Sequence, residues 1–407
     1  MHVVFVEPAF PANQREFVRA LHSAGAKVTG IGERPIEALP ADLKNQMLHY
    51  ERVRSVVDDD DMLRVVRWVG ERMRVDRLEA TVEAHVMTAA RVRESLGIPG
   101  TSTWTTWACR DKPTMKEVLR QAGIPCAQSI GADSPEEARK FAKDVGYPLI
   151  VKPRGGAGAS GTYKVENDEQ LEQAITASGL LRGNSCAVEE FIEGHEGFYD
   201  TITVDGQVRH DFATHYFPNV LEAMRTRWIS PQFIVTNRID SAPDYAEVRD
   251  LGRRVIEALK IGTSPTHMEW FFGPKGLKFS EIGARPPGVG AWDLYCAANE
   301  MDVYGEWAHA ICWGKSSRSP SRRYSAGIIN LRPDRDGTID RYEGLEEIQR
   351  AYGEWIIDFH LPPPGTATQG VEAGYMANAW LRMRHPDFDE LRRMLNRVGE
   401  AVKVKAR

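Results

Sequence analysis

Apolar positions in the first hundred residues follow two rhythms. His2–Val6 is a short apolar run closed by Pro8, and Val28–Ile31 and Leu78–Val82 repeat it, as buried strands do. Between these runs, residues 13–24 set Phe17, Val18 and Leu21 at helical spacing before Gly25. Met62–Met73 and Ala84–Leu96 read as further helices, the second ending at Gly97-Ile98-Pro99-Gly100. Strands alternating with helices predict a parallel α/β unit over residues 1–108.

From Asp111 the texture changes. A helix over Pro113–Ala122 stops at Gly123, and Ser134-Pro135-Glu136-Glu137 opens a second helix with a cap, a first-turn proline and acids at its positive end. The strand Tyr147–Val151 and the glycine-rich loop Gly155–Gly161 follow, then the strand Ala187–Ile192. Beyond residue 195 strands dominate (Thr201–Val204, Val208–Phe212, Met268–Phe272, Leu277–Ile282), interrupted by a long helix over 243–260. Gly314–Ser321 is polar and turn-rich, so a boundary is expected there, and the tail mixes strands and loops before a helix at 386–402. The expected division is 1–108, 109–194, 195–315 and 316–407.

Composition narrows the class. A chain of 407 residues with 42% hydrophobic and 27% charged residues builds its core without metal or disulfide. Five scattered cysteines with no CxxC pair fit a reducing compartment. A net charge of −5 gives no nucleic-acid footprint. No apolar run approaches the roughly 18 residues that span a bilayer, and MHVVFVEPAF carries no basic leader, so neither membrane nor nucleic acid is an expected partner and the cytoplasm is the expected location.

Three groups of residues carry candidate chemistry. Lys152 ends an apolar strand and precedes Pro153-Arg154-Gly155-Gly156-Ala157-Gly158-Ala159-Ser160-Gly161. Glycines let backbone N–H groups approach phosphate oxygens and the lysine adds a fixed charge, but the lysine comes first, so this is neither a Walker A loop nor a Rossmann fingerprint. Glu189-Glu190-Phe191-Ile192 leads through an acidic turn to Glu196, which suits an adenine edge followed by ribose hydroxyls and equally suits a solvated acidic turn. Glu269 and Glu281 lie on two strands joined by Gly273-Pro274-Lys275-Gly276. Two adjacent buried carboxylates stay ionised cheaply only with a cation between them, and magnesium prefers carboxylates together with substrate phosphates. Arg285 follows in Glu281-Ile282-Gly283-Ala284-Arg285, suited to forking a phosphate or a carboxylate.

In this order and at these separations the pieces resemble the ATP-grasp superfamily, from about Gly97 to Pro287. The resemblance implies an N-terminal Rossmann-like α/β domain, a lid subdomain, a large ATP-grasp subdomain and a C-terminal extension. Residue by residue it assigns ATP contacts to Lys112 and Lys152, a phosphate lid to Gly155, Gly156, Gly158, Ser160 and Gly161, an adenine hinge to Glu189, Glu190, Phe191 and Ile192, and a ribose carboxylate to Glu196. It assigns magnesium, with manganese as a substitute, to Glu269 and Glu281, and catalysis to Arg285 together with Lys152. His267 is a further substrate candidate, as are His215-Tyr216-Phe217-Pro218 and Arg332. Gly283 stands where many members carry asparagine, which leaves open whether one or two ions bind.

The Glu-Ile-Gly-Ala-Arg sequence and the length of the tail look most like L-amino-acid ligases. The implied activity joins a small carboxylate, activated as an acyl phosphate, to an amine, with ADP and phosphate released. A ligase using bicarbonate or formate is the alternative, and a nucleotide-binding pseudoenzyme is a second. Family members are often dimers, so a homodimer is compatible.

Overall fold

The strand His2–Val6 is buried along its whole length because it lies inside a four-stranded parallel sheet. Lys27–Gly32 and Arg77–Glu79 flank it, and His49–Arg52 lies outside Lys27–Gly32. The structure is a computed structural model that describes residues 1–155, 161–371 and 379–407. The edge strand His49–Arg52 was not expected, since only Tyr50 in it is buried and the sequence offers no apolar run. Helix Gln14–Ser23 turns Phe17 and Leu21 inward, and the Phe17 ring meets Trp307 of helix Val303–Trp313 at 5.0 Å. One core therefore runs from the first sheet into the later helices.

The next sheet is small and antiparallel, in the order Ser129–Ala132, Cys186–Glu190, Leu149–Pro153, Tyr163–Val165. Helices Pro135–Val145 and Asp168–Ala177 cover one face, packing Phe141, Leu171 and Ile175 on Leu149, Val151 and Val188. Strand residues alternate between faces, so Ser129, Lys152 and Glu189 point away from those helices. The interior of this unit is thus apolar on one side and charged on the other.

Eight strands form the large sheet, in the order Gly276–Gly283, Ser264–Gly273, His195–Val204, Gln207–Phe217, Gln232–Val235, Ser325–Leu331, Ala379–His385, Ile356–His360. The last three come from beyond residue 315 and continue the same sheet. The sequence left Glu196 open between a ribose carboxylate and a solvated acidic turn. The strand begins at His195, so Glu196 is a buried strand residue. The segment Ile124–Cys126 docks on the free edge of the sheet, where Phe279 N–H donates to Pro125 O at 2.8 Å. That contact brings the helix Lys112–Gln121 beside the strand carrying Glu281.

Across the register, Gly197 lies opposite both His215 and Trp270, whereas Phe198 faces Glu269 and Asp200 faces His267. His215 therefore lies on the opposite face of the sheet from His267 and Glu269, away from the pocket expected to use it. There His195 Nε2 and His215 Nδ1 are 2.9 Å apart, and His215 Nε2 lies 2.8 Å from the Tyr245 hydroxyl. Burial, with His195 and Arg392 nearby, pushes His215 down to about 3. An unfolded histidine titrates near about 6.5, so as pH falls below that value the unfolded chain takes up a proton that the fold excludes. The stabilisation is complete above the unfolded value and is lost progressively toward the folded one. We expect the melting temperature to fall between pH about 6.5 and 5, above the carboxylate range, and His215→Gln to remove part of that slope. An unchanged slope in the variant would assign it to other groups.

Candidate functional site

The helix Lys112–Gln121 starts at Asp111, whose carboxylate accepts the Thr114 N–H at 3.2 Å. Arg154, just past the strand Leu149–Pro153, grips the same carboxylate through Nε at 2.8 Å and Nη2 at 3.1 Å, and its carbonyl accepts the Lys112 N–H at 3.0 Å. This clamp fixes the helix start against the strand end, so Lys112 and Lys152 converge from different elements. Neither Asp111 nor Arg154 was expected in this role.

The Glu189 side chain is held by two lysines. Its Oε2 takes Lys116 Nζ at 2.5 Å and Lys152 Nζ at 2.8 Å, and its Oε1 accepts the Ser129 hydroxyl at 3.3 Å. Burial alone would raise this carboxyl, but the two lysines outweigh it and hold Glu189 at about 2. The hinge backbone is engaged with its own sheet: Glu190 N–H bonds Gln128 O and Phe191 N–H bonds Pro148 O. The Glu190 carboxylate takes Lys275 at 2.7 Å and Lys278 at 3.4 Å, and so ties the small sheet to the hairpin of the large one. Lys164 lies over the Phe191 ring at 4.6 Å.

Glu269 and Glu281 are direct cross-strand partners, with a bulge just after Glu269 that offsets the following residues. Lys112 Nζ lies 3.4 Å from Glu281 Oε2. Burial opposes the charge of Glu281, yet Lys112, Lys152 and Lys116 together hold its carboxyl below the usual range. Glu196, on the adjoining strand, accepts the Val220 N–H at 2.6 Å, and burial reinforced by the charge of Glu269 pushes it up to about 8. Glu189, Glu269 and Glu281 thus face Lys112, Lys116 and Lys152, and the paired carboxylates of Glu269 and Glu281 are a donor set that fits a hard divalent cation. Among the described residues no group of three or more His, Cys, Asp or Glu side chains is placed to hold a metal ion.

His267 Nδ1 bonds Asp200 at 2.7 Å, and its Nε2 lies 3.8 Å from Glu269. Asp200 also accepts the Tyr295 hydroxyl at 2.5 Å. Against its burial, Asp200 and Glu269 hold His267 up at about 9, so it faces the site as a cation. Gly283 leaves room that Arg285 fills, since a Cβ there would sit 3.3 Å from Arg285 Cγ. Arg332 instead donates to the carbonyls of Ala223 and Thr226. Of the glycine-rich loop, Gly155 and Gly161 are described, while Gly156, Gly158 and Ser160 lie outside the described residues.

Arg285 has a partner that sequence reading missed. Its Nε donates to Glu83 Oε2 at 2.5 Å and its Nη1 to Pro286 O at 2.8 Å. Glu83 follows the strand Arg77–Glu79 of the first sheet, and its other oxygen takes Arg110 at 3.3 Å. A carboxylate beyond the carboxyl end of a parallel strand is a place where α/β folds put functional groups, and that was the available signal. Glu83→Gln keeps the shape but weakens a charge-assisted bond, so we expect kcat to fall roughly tenfold with the affinity for ATP unchanged. A loss confined to ATP affinity would contradict that placement.

With the geometry in place, comparison with known proteins gives a consistent answer. Residues 117–300 match the ATP-grasp domain family. An L-arginine-specific L-amino acid ligase of Bacillus subtilis is 30% identical over 297 residues, covering 70% of this chain and 69% of that protein. The crystal structure of an L-amino acid ligase from Bacillus licheniformis matches with a TM-score of 0.77 at 17% identity, covering 100% of this chain and 98% of that one. The biotin carboxylase domain dimer of the Hydrogenobacter thermophilus 2-oxoglutarate carboxylase, solved with MgADP, ADP and bicarbonate, matches with a TM-score of 0.66 at 20% identity, over 97% of this chain and 89% of that one. At these identities the two structural matches speak for the fold alone. The chain belongs to the ATP-grasp family of ADP-forming carbon–nitrogen ligases. Within that family it is a homologue of the L-arginine-specific L-amino acid ligase.

Proposed function

We propose that the protein uses ATP to activate a small carboxylate, of the amino-acid class, and condenses it with an amine to form an amide. One observation carries the reading: Lys112 lies 3.4 Å from Glu281, Lys152 feels the charge of both Glu281 and Glu269, and these two glutamates pair across one hairpin, so the charged set is drawn from three parts of the chain, with Arg285 following just beyond the hairpin strand. Glu269 and Glu281 would hold magnesium, or manganese in its place, which neutralises phosphate charge when bound.

The nucleotide would lie between the small and large sheets, with its base along Glu189–Ile192, its ribose toward Glu196 and its phosphates against Lys112 and Lys152. The substrate carboxylate oxygen attacks the γ-phosphorus, and the bond to the ADP oxygen breaks. The amine nitrogen then attacks the acyl carbon, gives up a proton and expels phosphate. Arg285 forks oxygens at the reacting centre, where a fixed guanidinium costs no reorganisation. The Gly155–Gly161 loop would exclude water from the acyl phosphate.

Bicarbonate is the second reading, favoured by the likeness to the H. thermophilus domain, and the dimeric form of that domain makes a homodimer compatible here too. Incubation with ATP, Mg²⁺ and pairs of amino acids, read by mass spectrometry, distinguishes the readings. A dipeptide mass with matching ADP supports the proposal. ATP consumption that requires bicarbonate and gives no amide would replace it with the second reading.

A further inference from the structure

Lys116 is the feature of this site that no phosphate contact explains. It sits one turn after Lys112 on the buried face of its helix, beside Met115 and Leu119, with its side chain 1% exposed. A lysine this deep is costly unless paired, and its partner is the same Glu189 oxygen that takes Lys152. The two lysines are not equivalent. Lys152 is 12% exposed, with Glu281 and Glu269 contributing to its surroundings. Lys116 lies behind, with Cys126 and Glu189 as its neighbours. Of the two, Lys152 has the more exposed side chain.

We infer that Lys116 is a positioning residue: it is the permanent counter-charge of Glu189, and by staying there it lets Lys152 leave that carboxylate for the phosphates of the nucleotide. The inference rests on the proposed ATP site and adds a residue to it. A single lysine paired with a buried carboxylate would be held in place, because leaving would strand an uncompensated negative charge in a low-dielectric interior. A second lysine on the same oxygen removes that penalty. The charge count supports this: two cations share the Glu189 carboxylate, so Lys152 can transfer to phosphate while Glu189 keeps a partner. Burial and the charge of Lys152 pull Lys116 down to about 8, while Lys152 is raised above the usual value, so the shallow lysine is the more firmly charged of the two.

Isothermal titration with MgADP, which carries the phosphates Lys152 would meet, tests this on the full chain. Lys116→Met should weaken MgADP binding by roughly tenfold or more, the scale of one charge-assisted hydrogen bond, with the circular dichroism spectrum kept. Lys116→Arg should restore it. The decisive variant is Glu189→Gln in the Lys116→Met background. With the carboxylate neutralised, Lys152 is no longer held, and MgADP affinity should recover although a second buried group has been altered. A structural role for Lys116 predicts further loss or no recovery, and that result overturns the inference. If Lys116→Met fails to fold, Lys116→Gln with and without Glu189→Gln gives the same comparison. A wild-type protein that binds no MgADP would overturn the ATP site itself, whereas wild-type binding unaltered by Lys116→Met would overturn only this inference.

Discussion

Glu281→Gln is expected to abolish useful turnover, lowering kcat on the order of 10³-fold, because a bound divalent ion supplies several kcal/mol of transition-state stabilisation. The substitution is nearly isosteric, so the pairing with Glu269 across the hairpin and the surrounding core (Phe279, Ile282) should persist. What changes is charge. Glu281 is the carboxylate that Lys112, Lys152 and Lys116 jointly keep ionised, and the amide that replaces it offers a much weaker donor to a hard cation. The apo protein loses the Lys112 partner at 3.4 Å but also loses repulsion toward Glu189, so no collapse is expected. Steady-state kinetics across a magnesium titration checks this, with circular dichroism as the folding control. A loss smaller than about tenfold at saturating magnesium would mean that Glu281 does not hold the ion.

Arg285→Lys should be the second large effect, with kcat reduced on the order of 10²-fold or more and nucleotide binding retained. Guanidinium and ammonium differ here for a reason visible in the contacts. Nε is committed to Glu83 and Nη1 to the Pro286 carbonyl, so the plane of the group is set before any substrate arrives. A lysine can keep the charge or the Glu83 contact, but it has no second edge to present. The expected signature is a fall in kcat and in kcat/KM together. A rise in KM for the carboxylate with kcat spared would make Arg285 a substrate clamp. Constants close to wild type would remove it from the site.

Which of these features could be read from the chain depended on the range of the interactions involved. Local signals worked where local physics decides. The first two strands of the first sheet, the capped helix at Ser134, the hairpin carrying Glu269 and Glu281, and the long helix Tyr245–Ala258 lie where periodicity and turn residues put them, while the third strand, Arg77–Glu79, stops short of the expected Val82. The ordered set of lysines, glycines and glutamates pointed to the family because its members are separated by characteristic lengths. Contacts across 70 to 200 residues were not legible. Glu83 meets Arg285 only because the first sheet and the end of strand Gly276–Gly283 are brought together in space. The pairing of Glu189 with Lys116 was not legible either, because strand alternation is visible in sequence and a lysine 73 residues away is not.

Lys116 did leave a trace, a charge on the apolar stripe of a helix between Met115 and Leu119, which periodicity reads as an irregularity and the structure explains as a buried ion pair. The burial of Glu196 left no such trace. Its neighbours Glu193, Gly194 and His195 read as a solvated turn, yet pairing on both sides draws the strand start back to His195 and buries the carboxyl. The tail reads as an extension in sequence because its strands are separated by loops, while long-range pairing makes them part of the large sheet.

The central claim is that ATP is cleaved between its β- and γ-phosphates to make an acyl phosphate. Product analysis with hydroxylamine present tests it most directly, since an acyl phosphate is captured as a hydroxamate. The expected result is ADP and phosphate in equal amounts, with amino-acid hydroxamate formed in step when the amine is withheld. AMP and pyrophosphate as the stoichiometric products would contradict the claim.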